Sequence, residues 1–192
     1  MIAILKYNAG NIRSVQNAVK RLGFSSIITD EIDEILKAEK VIFPGVGEAS
    51  SAMTYLKERE LDRLIVSLKQ PVLGICLGLQ LMCKYSEERN TECMGIFDSN
   101  VILFPPVDKV PHMGWNNFLS LKGELFNGIS ASDDVYYVHS YYPEISSCTI
   151  ATCDYIIPFS AAMKKNNFYA TQFHPEKSAG IGERILKNFL EL

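Results

Sequence analysis

The chain has 192 residues, 47% of them apolar, and a formal net charge of -3. That length suits one compact domain, and the apolar fraction supplies a full core and excludes disorder. A weakly acidic balance without basic runs argues against nucleic acid or an anionic membrane surface as the main partner.

No apolar stretch approaches the roughly 20 residues of a membrane-spanning helix. The opening MIAILKYNAGN runs into a polar turn too soon for a signal-peptide core. The five cysteines, Cys76, Cys83, Cys93, Cys148 and Cys153, are odd in number and lack paired metal spacing. Neither a disulfide framework nor a metal centre is expected, and a reducing cytoplasm is the expected compartment.

In chain order the first half alternates strand and helix. Residues 2–5 read as a buried strand. Asn11 stands where a helix cap belongs, ahead of Ile12, Val15, Val19 and Leu22 on one helical face, and Gly23 ends that helix. A strand over 24–29, a short helix over 30–38 presenting Ile32, Ile35 and Leu36, and a strand over 41–43 halted by Pro44-Gly45 follow. A helix over 48–69 leads to a strand over 72–75 that feeds a helix from Leu77. This rhythm predicts an α/β fold of three layers around a mostly parallel sheet. Beyond residue 100 the pattern changes to short strands at 101–104, 135–138, 149–152 and 168–173, closed by a helix from about Ile181 that buries Ile185, Leu186 and Phe189. No repeat or linker divides the chain, so 1–192 reads as a single domain.

Ligands in such folds bind beyond the C-terminal strand ends. Three polar breaks stand there: the turn after Leu5, the PGVG after Phe43, and Cys76 after Ile75. Cys76 is flanked by Gly74 and Gly78, the spacing that lets a nucleophile stand on a tight strand-to-helix bend. There the amide of Leu77 is free to meet an oxyanion. A buried cysteine between packing glycines is the bland alternative. Of the three histidines, His112, His139 and His174, His174 has the most useful setting. Pro175 biases it towards an extended conformation, and Glu176 two residues on can reach its ring, as the third member of a triad does. In PGVG, Val46 or Gly47 can offer a second oxyanion amide. Gln80, four residues after Cys76, shares its helix face.

Together these features resemble the class I, or triad, glutamine amidotransferases, with their Gly-x-Cys-x-Gly elbow and late His-x-Glu. Within that class the chain is similar to the glutaminase subunits of imidazole glycerol phosphate synthases. The segments that carry the similarity are YNAGNIRSV (7–15), PGVGEASSAM (44–53), GICLGLQLM (74–82), PHMGWN (111–116), YYVHSYY (136–142) and FHPEKS (173–178).

The resemblance implies a flavodoxin-like fold and a glutamine hydrolase without cofactor. Cys76 is implied as nucleophile, His174 as the acid and base, and Glu176 as its orienting carboxylate. Val46, Gly47 and Leu77 are implied as oxyanion donors, and Gly45, Gln80, Ser140 and Tyr141 as substrate contacts. It also implies a separate (β/α)8 cyclase subunit that receives the ammonia, docked on Asn11, Met113, Trp115, Tyr137 and Lys177. His139 reads as a structural or subunit-signalling group, and His112 has no assignable partner. The family's usual opening, Asp-Tyr-Gly-x-Gly-Asn, is here Lys6-Tyr7-Asn8-Ala9-Gly10-Asn11, and the common aromatic after PGVG is replaced by Glu48-Ala49-Ser50. These departures leave open a glutaminase serving another ammonia-accepting synthase, such as one aminating a sugar. A non-catalytic partner-binding module is the alternative from another class.

Overall fold

The computed structural model describes all 192 residues. Its first half follows the expected alternation. The strands are β1 (Ile2–Leu5), β2 (Ser26–Thr29), β3 (Lys40–Gly45) and β4 (Val72–Cys76). Between and after them lie the helices α1 (Ile12–Arg21), α2 (Ile32–Lys37), α3 (Ala49–Glu58), α4 (Leu61–Ser67) and α5 (Leu77–Met82). The second half adds β5 (Tyr85–Ser86), β6 (Thr91–Glu92), β7 (Asn100–Leu103), β8 (His112–Asn116), β9 (Ser120–Leu121), β10 (Val135–His139) and β11 (Tyr141–Pro143). The chain closes with β12 (Thr149–Tyr155), β13 (Ile157–Lys165), β14 (Phe168–Thr171) and α6 (Ala179–Leu190).

The central sheet runs β2-β1-β3-β4-β14-β13-β12-β9. From β2 to β14 the pairs are parallel, and beyond β14 they are antiparallel. Alternate residues of each parallel strand feed opposite faces. Ile2, Ile4, Ile42, Leu73 and Ile75 join a core with Val15 and Val19 of α1 and Ile185, Leu186 and Phe189 of α6. Ala3, Leu5, Val41, Phe43 and Val72 join the other, with Met53 and Leu56 of α3 and Ile65 of α4. Both faces are covered, which is why these strands are almost wholly apolar in sequence. The result is a three-layer α/β fold.

Two smaller sheets stand beside the main one, β10-β8 and β11-β7-β5-β6. The β8–β10 ribbon pairs His139 with His112, Val138 with Met113 and Tyr136 with Trp115.

Several elements differ from the sequence expectations. The strand at 41–43 continues through Pro44 to Gly45, because Pro44 needs no ladder donor at that end of its pairing with Ile75. The single helix expected over 48–69 is two helices, broken where Glu60 takes φ 55°. In α2 only Ile35 is buried, while Ile32 and Leu36 are exposed. The antiparallel strands are not all short, since β13 has nine residues and β12 seven.

Candidate active site

The bend from β4 into α5 carries the cysteine. Cys76 ends β4 and enters α5 with φ 54° and ψ -105°. A non-glycine residue in that region costs about 1–3 kcal/mol and persists only where its surroundings hold it. The holding is local: a Cβ on Gly78 would lie 1.9 Å from the Phe43 carbonyl oxygen, so only glycine lets α5 start this close to β3. The parallel register then sets Gly45 directly beside Cys76. Gly45 is constrained in turn, because a Cβ there would sit 2.0 Å from the Tyr7 hydroxyl. That hydroxyl is buried without a hydrogen-bond partner.

Above this edge lies a cleft of about 280 Å³. Val46, Gly47, Cys76, Leu77 and Gln80 line one part of it. Val138, His139, Ser140 and Tyr141 line another, and Glu88 and Pro111 complete it. The expected oxyanion and substrate residues thus share one cavity with the cysteine, apart from Gly45, which packs against Tyr7 and Leu77 and does not line it.

His174 and Glu176 approach Cys76 from the neighbouring strand. β14 is the parallel neighbour of β4, and its extension carries Gln172 and His174 past the strand end. The backbone is extended at His174 and tightens into a 3-10 turn over Pro175–Lys177. Nδ1 of His174 meets Oε1 of Glu176 at 2.7 Å, and both side chains are buried. Asn11, at the start of α1, donates its side-chain amide to the same carboxylate oxygen. Nε2 of His174 makes no hydrogen bond and is free to serve a reacting group.

The electrostatics of the ring follow from its neighbours. Burial pushes the imidazole pKa down, but the nearby charge of Cys76 and the hydrogen-bonded Glu176 carboxylate together outweigh that and raise it to about 10. The sulfur itself lies 3.9 Å from the Val138 carbonyl oxygen and 3.6 Å from Nε2 of Gln172.

The other two histidines are neutral by contrast. Burial lowers His139 to about 3 and His112 to about 4. They lie against each other, Nδ1 of His112 being 3.1 Å from Nε2 of His139. Their setting is aromatic, with His112 stacked on Tyr155 and Tyr137.

The expected docking residues divide. Met113 and Trp115 point outward from β8 and are 63% and 54% exposed. Trp115 packs edge-on to Tyr136 at 5.9 Å, and the exposed Lys177 ammonium lies 6.0 Å from the same Tyr136 ring. Asn11 is half-buried and tied to Glu176. Tyr137, however, is fully buried, because alternation along β10 turns it into the core; Tyr136 takes the outward place.

Sequence reasoning did not find Glu88, Pro111 or Val138 in the cleft, nor the role of Gln172 next to the sulfur. Glu88 arrives through a non-helical bend at Arg89 and accepts from the Ala49 amide at 2.7 Å; its charged, polar segment carries no signal for that. Gln172 stood within the QFHPEKS segment, two residues before His174, where the strand period places both on one side.

The model of the family described as "Glutamine amidotransferase class-I" matches residues 4–192. The chain is 60% identical to the imidazole glycerol phosphate synthase subunit HisH of Bacteroides fragilis strain YCH46, covering all of this chain and 99% of that one. The chain belongs to the class I glutamine amidotransferases and, within them, to the HisH family. The Escherichia coli K12 HisH is 44% identical over the full chain and 99% of its own length. Among solved structures, a glutamine amidotransferase from Thermotoga maritima superposes with TM-score 0.66 at 16% identity, covering 99% of this chain and 80% of that one. The glutaminase domain of Trypanosoma brucei CTPS with bound acivicin gives 0.67 at 16%, covering 99% and 93%. Those two likenesses show the fold. The fold and the class of enzyme expected from the sequence are thus those of this amidotransferase.

Proposed function

We propose that this chain is the glutaminase half of an imidazole glycerol phosphate synthase, working through Cys76, His174 and Glu176. The observation that carries the reading is the meeting, at one sheet edge, of a strained cysteine, an imidazole buried on its own carboxylate, and a glycine turn lining the same cleft.

In the reaction the Cys76 thiolate attacks the side-chain carbonyl carbon of glutamine. The carbonyl electrons move onto oxygen, and the amides of Leu77 and of the Val46–Gly47 turn receive that charge. The His174 imidazolium gives its Nε2 proton to the amide nitrogen, the C–N bond breaks, and ammonia leaves a thioester. Neutral His174 then takes a proton from water, whose oxygen attacks the acyl carbon. The C–S bond breaks with its electron pair returning to sulfur, and glutamate departs. Glu176 holds Nδ1 protonated throughout, so Nε2 is always the atom that moves the proton. Gln80, Ser140 and Tyr141 grip the amino-acid end.

The ammonia goes to a (β/α)8 cyclase docked over Met113, Trp115, Tyr136 and Lys177. An exposed tryptophan and methionine beside a tyrosine and a lysine form the kind of anchor that interfaces use. The near-complete mutual coverage with the HisH subunits supports that partner.

Purified chain mixed with its cyclase is expected to release glutamate from glutamine and to support cyclase turnover, with the free chain far slower. Cys76→Ala is expected to reduce glutamate release by at least ~10³-fold. Unchanged turnover in that variant overturns the nucleophile. Glutamate release with no ammonia reaching the cyclase overturns the choice of acceptor and leaves the glutaminase intact.

A further inference from the structure

Besides the imidazole and the Val138 carbonyl, the catalytic sulfur has a side-chain amide beside it. Gln172 is fully buried, and its Nε2 faces the Cys76 sulfur at 3.6 Å. A carboxamide offers two similar ends, so something must dictate which one meets the sulfur. A backbone carbonyl does so. Nε2 of Gln80 donates to the Tyr141 carbonyl at 2.9 Å and to Oε1 of Gln172 at 3.0 Å. The carbonyl can only accept, so Gln80 must present its NH2 there. Gln172 must then answer with oxygen, and its own NH2 is left for the sulfur.

The same carbonyl directs a second chain. Nδ1 of His139 lies 2.8 Å from it and so carries the proton. Nε2 of His139 is therefore an acceptor, and it receives Nδ1–H of His112 at 3.1 Å. Nε2 of His112 in turn receives the Asn116 side-chain amide at 3.4 Å. Asn116 is fixed in that sense, since its oxygen accepts from the Asn117 amide at 2.9 Å and its nitrogen donates to the Asp154 carbonyl at 3.0 Å. His112 and Asn116 are the inward residues of β8, whose outward residues are Met113 and Trp115. Every link from the ribbon to the sulfur therefore has one permitted direction.

We propose that Gln172 is a further catalytic residue, donating a hydrogen bond to the Cys76 sulfur whenever it is anionic, and that Asn116, His112 and His139 are positioning residues that hold the directing Tyr141 carbonyl in place from the β8–β10 ribbon. The inference rests on the glutaminase reading above. Sulfur is anionic before attack on glutamine and again as the thioester C–S bond breaks with its electrons passing to sulfur, so the donor acts in both half-reactions. The wire also gives a partner seated on Met113 and Trp115 a physical route to the nucleophile, because displacing β8 displaces the donors that hold the Tyr141 carbonyl.

The test is a double-mutant cycle on glutamine hydrolysis at saturating cyclase, with thermal unfolding and cyclase affinity measured on every variant. Gln172→Leu is expected to lower kcat roughly 10- to 100-fold, the effect of a hydrogen bond to a charged group, with KM for glutamine unchanged. Gln172→Glu keeps the size and the acceptor for Gln80 but sets a carboxylate against the sulfur, and is expected to be worse. His112→Phe preserves the aromatic stack and is expected to cost roughly 2- to 10-fold in the native background and nothing in the Gln172→Leu background. Asn116→Leu repeats that comparison should the histidine variant fold poorly. Losses that simply multiply identify a packing role and overturn the wire. A kcat unchanged in both Gln172 variants overturns the catalytic assignment. If the native pair releases no glutamate, the glutaminase reading has failed and not this inference alone.

Discussion

Glu176→Gln isolates the charge of the proposed third triad member from its shape. In the native site one carboxylate oxygen receives two donors, Nδ1–H of His174 and the Asn11 amide, while the other makes no hydrogen bond. A glutamine can satisfy both donors only by pointing its oxygen at them and its NH2 at the unpartnered side. Asn11 thus enforces the native tautomer of His174 even after the charge is gone. What is lost is the charge-assisted part of a buried hydrogen bond, about 1.5–3 kcal/mol. At 1.36 kcal/mol per tenfold this is roughly a 10- to 150-fold fall in kcat. KM should not change, because Glu176 does not line the cleft. Adding Asn11→Ala frees the amide to turn its NH2 towards Nδ1, which would move the proton to Nε2 and cost roughly another tenfold or more. Asn11→Ala alone, with the carboxylate intact, should cost only a few-fold. The assay is steady-state glutamate release at saturating cyclase. A kcat for Glu176→Gln within two- or threefold of native, or strictly multiplicative losses in the double variant, would refute the reasoning.

Further outcomes follow from the same contacts. Gly78→Ala drives a methyl into the Phe43 carbonyl, and should lower stability by about 1–3 kcal/mol or more in urea unfolding while also reducing turnover by shifting Cys76. Trp115→Ala should weaken cyclase binding by roughly 30-fold or more, as loss of an interface anchor does, in titration calorimetry, with the unfolding midpoint of the free chain little changed. Acid should destabilise the fold through the histidine pair. His112 and His139 have folded pKa values lowered to about 4 and about 3, so the unfolded chain binds more protons below about pH 6.5 and stability falls as pH falls. Each histidine should contribute at most about 2 kcal/mol of loss between pH 6.5 and 5, and His139→Phe should flatten the unfolding free energy measured across that window.

How far the sequence discloses this molecule depends on how local each signal is. The elbow at Cys76 is legible because its glycines answer a local steric demand, the close approach of α5 to β3. The His174–Glu176 pair is legible because two residues separate it, although a 3-10 turn, not a continuing strand, brings the carboxylate in. The first parallel strands are legible because burial on both faces leaves them few polar residues. Other features depend on contacts that no local pattern encodes. Tyr136 and Tyr137 are chemically alike, and only the register against β8 tells which faces outward. The long β13 hides behind Pro158 and the Lys164-Lys165 pair, which break its alternation. Glu60 interrupts a helix from within a charged run that has no breaker residue. His112 and His139 lie 27 residues apart and meet only through antiparallel pairing, and so the sequence offers His112 no partner.

The central claim is that Cys76, alone among the five free cysteines, is held as the nucleophile for a glutamine side chain. The measurement that bears on it most directly is mass mapping of the protein after reaction with a glutamine-shaped electrophile in the presence of cyclase. The account predicts one label per chain, on Cys76, blocked by excess glutamine and lost in Cys76→Ala. A label on Cys83, Cys93, Cys148 or Cys153, or one that survives Cys76→Ala, would contradict it.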